Sequence, residues 1–207
     1  MTRFRTLRVA TCALLALASA AQGQEDSAAS PARAKLGLAA AGAFVMSAGW
    51  ASIERGIHGV ALGTTVDFGH FRSPRVRLLA DLEYLLTLPH EEYVEVDGQS
   101  YRDVFRDLSG HVAVAFHATA PTAKVSPYVV TGVGVHVLSS TFGSVPIDRR
   151  YNTNNFGLLG AVGVRLGVGG SGRRAVQLEV QGLQARDVRR LSVHAGVATL
   201  FNDLIRR

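Results

Sequence analysis

Pro127-Tyr128-Val129-Val130-Thr131-Gly132-Val133-Gly134-Val135-His136-Val137 alternates strictly with period two. Val129, Thr131, Val133, Val135 and Val137 share one parity, and Tyr128, Val130, Gly132, Gly134 and His136 share the other. A second run, residues 156–166, repeats the pattern. Phe156, Leu158, Val162, Val164 and Leu166, broken only by Gly160, alternate with Gly157, Leu159, Ala161, Gly163 and Arg165. Sustained alternation marks a strand, because successive side chains of an extended backbone leave on opposite sides. Soluble strands rarely combine one charge-free apolar face with an opposite face rich in glycine and alanine.

Outward from this pair, the same period recurs along the chain. Strands are predicted at residues 35–45, 59–68 and 75–85, in a segment ending at residue 118, and at 174–183 and 190–201, making eight with the central pair. Residues 36–53 carry no charge, a length that touches the threshold for a membrane helix. Gly37, Gly42, Gly49 and several serines argue against that helix, and an eighth strand is needed to close a sheet. The connections alternate in length. Residues 46–58, 87–100 and 140–153 are long and 184–189 is short, whereas 69–74, 119–125 and 168–172 are all short. Long loops at one end and short turns at the other are the habit of bacterial membrane barrels.

Alternation alone does not say which face meets solvent, since a lipocalin-like barrel alternates with its apolar face inward. The second face decides. It carries Gly132, Gly134, Gly157, Gly163, Gly196, Ala113, Ala115, Ala161 and Ala198, small residues that suit the crowded interior of a narrow barrel. In the third and the fifth to eighth predicted strands the central charges fall on this parity too, and an Arg or Lys facing lipid at mid-bilayer costs about 2–4 kcal/mol. Aromatic residues Phe44, Phe68, Tyr84, Phe116, Phe156 and Phe201 lie on the apolar parity near strand ends, where interfacial girdles form. The expected fold is all-β: an eight-stranded antiparallel up-and-down transmembrane β-barrel.

The chain has 207 residues and 22 glycines, and its only lysines are Lys35 and Lys124. Its formal charge of +6 includes Arg3, Arg5 and Arg8 near the N-terminus. Charges of both signs are mixed through the remainder, with no basic block of the kind that binds nucleic acid. Arg3, Arg5 and Arg8, an apolar run over residues 9–17 and Ala18-Ser19-Ala20 read together as a signal peptide over 1–20. A flexible leader over 21–34, a barrel over 35–201 and a short tail over 202–207 complete the expected organisation. Cys12, the single cysteine, falls in the signal peptide, so the mature chain is expected to hold no disulfide.

On these residues the chain resembles the small eight-stranded outer-membrane barrels of OmpA and opacity-protein type. Residues 127–135, 156–167 and 191–201 carry the resemblance. It implies an outer-membrane location, contact with outer-membrane lipids and lipopolysaccharide, and recognition by the outer-membrane assembly machinery. The family's terminal aromatic residue matches Phe201, although residues 202–207 follow it. No peptidoglycan-binding domain is expected after the barrel, and a monomer is expected.

The chemistry-bearing residues lie mostly on the small-residue parity: Arg77, Asp81, Glu83, Asp107, His111, His117, His136, Arg165, Glu179 and His194, with Arg75 and Gln177. A metal or catalytic cluster is one reading. Mutually paired charges packing a lumen is the other, and it is favoured because buried charges must be paired and the histidines show no ligand spacing. Arg77 and Arg165 are expected to meet Asp81, Glu83, Asp107 and Glu179. Lipid-modifying barrels would place His and Ser two apart on an outward strand, but His194 is followed by Ala195-Gly196. No catalytic residue, metal or cofactor is assigned. The acidic stretch with Glu91, Glu92, Glu95 and Asp97 reads as an external loop that either binds an extracellular ligand or is simply solvated. Arg186, Arg189 and Arg190 read either as a contact for lipopolysaccharide phosphates or as an ordinary tight external loop.

Overall fold

The computed structural model describes residues 35–36, 41–94, 98–140, 153–169, 173–186 and 188–201. The expected signal peptide, the leader and the tail after Phe201 lie outside these residues. So do residues 141–152 of the third long connection.

The described chain forms β1 (Lys35–Leu36), β2 (Ala43–Ile53), β3 (His58–His70), β4 (Val76–Thr87), β5 (His90–Val94), β6 (Gln99–Asp103), β7 (Phe105–His117), β8 (Val125–Ser140), β9 (Thr153–Val168), β10 (Arg174–Ala185) and β11 (Val188–Leu200). Eight of them, β2, β3, β4 and β7 to β11, close an antiparallel up-and-down barrel. Each is hydrogen-bonded to its sequence neighbour among the eight, and β11 returns to β2 through the register Val193↔Trp50. No described helix is long and apolar enough to cross a membrane.

The apolar parity faces outward on every barrel strand. Met46, Leu62, Leu82, Val112, Val133, Leu158, Leu178 and Val193, one per strand, are 46 to 63% exposed. Such a continuous apolar belt is an aggregation hazard in water and the expected surface in lipid. The opposite parity is buried. At the end bearing the longer connections, Ile53, Ile57, Leu85, Phe105, Leu138 and Val188 pack into one apolar cluster inside the barrel. Ala113, Ala115, Tyr128, Val130, Leu159 and Ala161 line the wall farther down.

The first strand differs from its sequence reading. Residues 46–58 were expected as a long loop, but β2 runs to Ile53 and a single 3-10 turn at Glu54–Gly56 leads into β3. Residues 35–36 form only a two-residue bridge to Gly69 and His70. Ser47 and Gly49, which look like loop signals, are lumen residues on the parity of buried Val45 and Ala51. A Cβ on Gly49 would lie 2.7 Å from His194 Nδ1, so the close approach of that ring requires glycine. Two of the four connections at this end are therefore long. One of them, read from sequence as 87–100, runs from 88 to 104 and contains a separate ribbon in which β5 pairs with β6, placing Glu91 opposite Arg102.

Candidate functional site

The barrel interior gathers the ionisable side chains. Alternation sends Asp67 and Thr65 inward from β3; Arg77, Asp81 and Glu83 from β4; Asp107, Ser109, His111 and His117 from β7; and Ser126, Tyr128 and His136 from β8. Arg165 enters from β9, Glu179 and Gln181 from β10, and Arg190, Ser192 and His194 from β11. Most are buried, with Asp81, Thr65 and Glu179 half-buried.

Near the short-turn end, Arg77 bonds Asp67 through Nε in a pair buried on both sides. A bulge in β3 between Asp67 and His70 accompanies it, and Asp67 also accepts from the Gly69 amide at 3.0 Å. His117 Nδ1 lies 2.9 Å from Ser126 Oγ. Tyr128 Oη donates to Glu179 Oε2 at 2.7 Å across β9, whose Gly163 leaves room for the phenol. Arg165 donates through Nη2 to Gln177 at 3.4 Å. Its Nε and Nη1 have no hydrogen-bond partner among the described residues, and buried donors of this kind are ordinarily met by ordered water.

Toward the long-loop end the contacts form a continuous chain. Arg190 bonds Glu83 through Nη2 and lies 3.4 Å from Asp107 Oδ2 through Nη1. Asp107 Oδ2 is 2.9 Å from His136 Nδ1. His136 Nε2 is 3.0 Å from His111 Nε2, and His111 Nδ1 is 3.3 Å from Asp81 Oδ2. Thr65 Oγ1 closes the sequence by donating to Asp81 Oδ1 at 2.9 Å. On the other side of Glu83, Oε2 lies 3.4 Å from His194 Nε2, which is 2.8 Å from Ser192 Oγ. A cavity of about 20 Å³, room for a single water, lies among Ser47, Thr65, Asp81, Glu83, Glu179 and His194.

The sequence-assigned lumen residues are thus placed inside, but their partners differ from the expectation. Neither Arg77 nor Arg165 makes an ion pair with Asp81, Glu83 or Asp107. Arg77 takes Asp67, and Arg190 takes Glu83 and Asp107. Arg190, grouped with Arg186 and Arg189 at an external loop, is a correction: it shares the parity of Ser192 and His194, and with β11 beginning at Val188 it lies within the strand, faces the lumen and is 4% exposed. Arg189 points outward, where it bonds Gln184 at 2.8 Å and approaches Glu54 at 3.6 Å. Asp67 was missed, although its parity, opposite to Val66 and Phe68, marked it. Ser192, which the sequence reading did not pair with His194, precedes the histidine by two residues instead of following it, and both face the lumen. Of the acidic stretch, Glu91 is exposed on β5, and Glu95 and Asp97 fall outside the described residues. Among the described residues no group of three His, Cys, Asp or Glu side chains is placed to hold a metal ion.

No family model matches the chain, and no curated protein matches its sequence. Solved structures do. The outer membrane protein OprG from Pseudomonas aeruginosa superposes with a TM-score of 0.54 at 12% identity, covering 78% of this chain and 97% of OprG. The outer membrane enzyme PagL superposes with a TM-score of 0.51 at 15% identity, covering 73% of this chain and 97% of PagL. Likeness at such low identity speaks to fold and not to activity. With the closed barrel, outward apolar belt and inward charges, it shows that this chain has the fold of the small eight-stranded outer-membrane β-barrels.

Proposed function

We propose that this chain is a non-enzymatic outer-membrane protein whose lumen is closed by its own side chains, and that it serves envelope integrity and holds surface structure in place. The observation that carries this reading is the Arg190–Glu83–Asp107 cluster lying beneath the apolar cluster of Ile53, Leu85, Phe105 and Leu138. A hydrated ion would have to break buried charge pairs and then cross an apolar layer, and both steps are costly. The inward direction of Ser192 and His194 supports a non-catalytic role, since a lipid substrate approaches from outside. In this reading the chain is exported with loss of residues 1–20, is delivered by the outer-membrane assembly machinery and works as a monomer. Lipid acyl chains cover the belt, and lipopolysaccharide phosphates meet exposed Arg189 at the long-loop end.

Planar-bilayer recording of the refolded full chain tests the closed lumen. Negligible steady conductance is expected, and large, long-lived, porin-like channels from the monomer would overturn the proposal. A binding role for the long-loop end is favoured by one observation, the β5–β6 ribbon, which forms a two-stranded sheet of its own. Replacing residues 88–100 by a Gly-Ser turn separates the two roles. Loss of attachment to cells or matrix with the barrel intact would assign the ribbon to ligand binding.

A further inference from the structure

We propose that the short-turn end of the barrel is a cationic rim that binds the headgroups of anionic phospholipids in the leaflet it meets. The three short turns lie between β3 and β4, β7 and β8, and β9 and β10. Together they carry Arg72, Arg75, Lys124 and Arg173, with Arg174 opening β10, and all five residues are exposed. The chain's other lysine, Lys35, is at this end too, registered opposite His70. No acidic residue accompanies them. The sequence has none between Asp67 and Asp81, none between Asp107 and Asp148, and none from there to Glu179. Asp67 itself is buried and bonded to Arg77. Among the described residues, no carboxylate pairs with Arg72, Arg75, Lys124 or Arg174. The long-loop end is different: Glu54 stands 3.6 Å from Arg189, and Glu91 is registered opposite Arg102.

The backbone holds these cations in place. The Arg75 carbonyl accepts from the His117 amide at 2.8 Å, the Lys124 carbonyl from the Gly167 amide at 2.9 Å, and the Arg173 carbonyl from the Leu200 amide at 2.8 Å. Each bond ties a cation-bearing residue to the next strand of the wall. The Val76 amide closes the first turn by donating to the Ser73 carbonyl at 2.9 Å. Charges carried on a backbone fixed in this way need little ordering when a partner binds.

The partner is a lipid because the cations border the lipid-facing belt. Phe116, Val125, Val168 and Phe201 are still 41 to 50% exposed at the last level of the wall. Lys124 immediately precedes Val125, and Arg174 is registered opposite Val168. Arg174 also has the parity of exposed Val176, Leu178 and Val180, so it leaves the wall on the lipid side. From there its guanidinium reaches a phosphodiester at the edge of the acyl layer while its stem lies along the chains. The three turns follow one another around the wall about 10 Å apart, two strand spacings. That arrangement suits separate headgroups lying side by side and not one ligand in one pocket. The inference rests on the outer-membrane reading above.

The test uses the full chain refolded in phosphatidylcholine vesicles holding a trace of spin-labelled phosphatidylglycerol or spin-labelled phosphatidylcholine. Electron spin resonance measures how much of each label is slowed at the protein surface. Phosphatidylglycerol should be favoured about five-fold, the effect of roughly one cation per headgroup. The preference should fade as salt is raised to about 1 M. Arg72→Gln, Arg75→Gln, Lys124→Gln and Arg174→Gln together should remove it, with the heat-dependent mobility shift retained. Arg72→Lys, Arg75→Lys and Arg174→Lys together should keep it, because the charge is preserved. Arg106→Gln with Arg189→Gln, on the opposite rim, should also leave it in place. Equal association of the two labels with the wild type would overturn the proposal. So would a preference that survives the four glutamines, or one that is lost with Arg106 and Arg189. Removal of the preference by inorganic phosphate or polyglutamate, at an ionic strength where chloride leaves it intact, would assign the rim to a soluble anion and overturn it as well. Absence of any slowed lipid, of either kind, would instead overturn the outer-membrane reading and this inference with it.

Discussion

Arg190 and Glu83 stand 107 residues apart in sequence and on strands that are not neighbours, yet Arg190 Nη2 bonds Glu83 Oε1 inside the barrel. Between β11 and β4 the sheet interposes β2 and β3, so this bond spans the lumen as a chord. It forms only when the sheet has closed, which ties the state of the ion pair to the closure of the fold.

Arg190→Met should therefore be costly. It leaves Glu83 and Asp107 buried without their cation, and removing one member of a buried charge group costs about 3–5 kcal/mol. Urea unfolding in micelles should show that loss, with a lower temperature for the heat-dependent shift in electrophoretic mobility. Adding Glu83→Gln and Asp107→Asn should recover more than half of it, since the stranded charges are then gone. A single variant as stable as wild type would show that the chord contributes nothing.

The strand glycines should divide sharply by face. Gly157→Ala and Gly134→Ala put a methyl group into His136 and into His111 with the Gly110 carbonyl, and each should cost about 1–3 kcal/mol by overpacking. Gly160→Ala, with nothing within 4 Å of its added Cβ, should change stability by less than about 0.5 kcal/mol. Equal effects at all three positions in the same unfolding assay would contradict the assignment of faces.

The outward belt should show the depth dependence of a bilayer. Val133 lies mid-strand on β8 and is 59% exposed, whereas Val125 is the first residue of the same strand. Val133→Arg should cost about 2–4 kcal/mol in lipid vesicles and Val125→Arg about 0–1 kcal/mol. Refolding yield against urea in vesicles measures both. A Val133→Arg protein that folds into vesicles as readily as wild type would argue against a lipid-facing surface at that position.

Strand identity and facing were legible because they are local. The period of an extended chain is two, so Val133 and Gly134 declare opposite faces without reference to anything distant, and one apolar belt follows from eight such runs. The same logic placed His111, His136 and Arg165 inside. It failed at residues 46–53, where Ser47 and Gly49 served the crowding around His194 and not a turn, and at Arg190, which shares the parity of Ser192 and His194 but was grouped with the arginines of the adjoining loop. Partner choice was decided only by the tertiary structure. Which carboxylate Arg77 or Arg190 reaches depends on the stagger between strands and on the closure of β11 against β2. Those quantities set which inward side chains share a level of the lumen, and no periodicity within a single strand contains them.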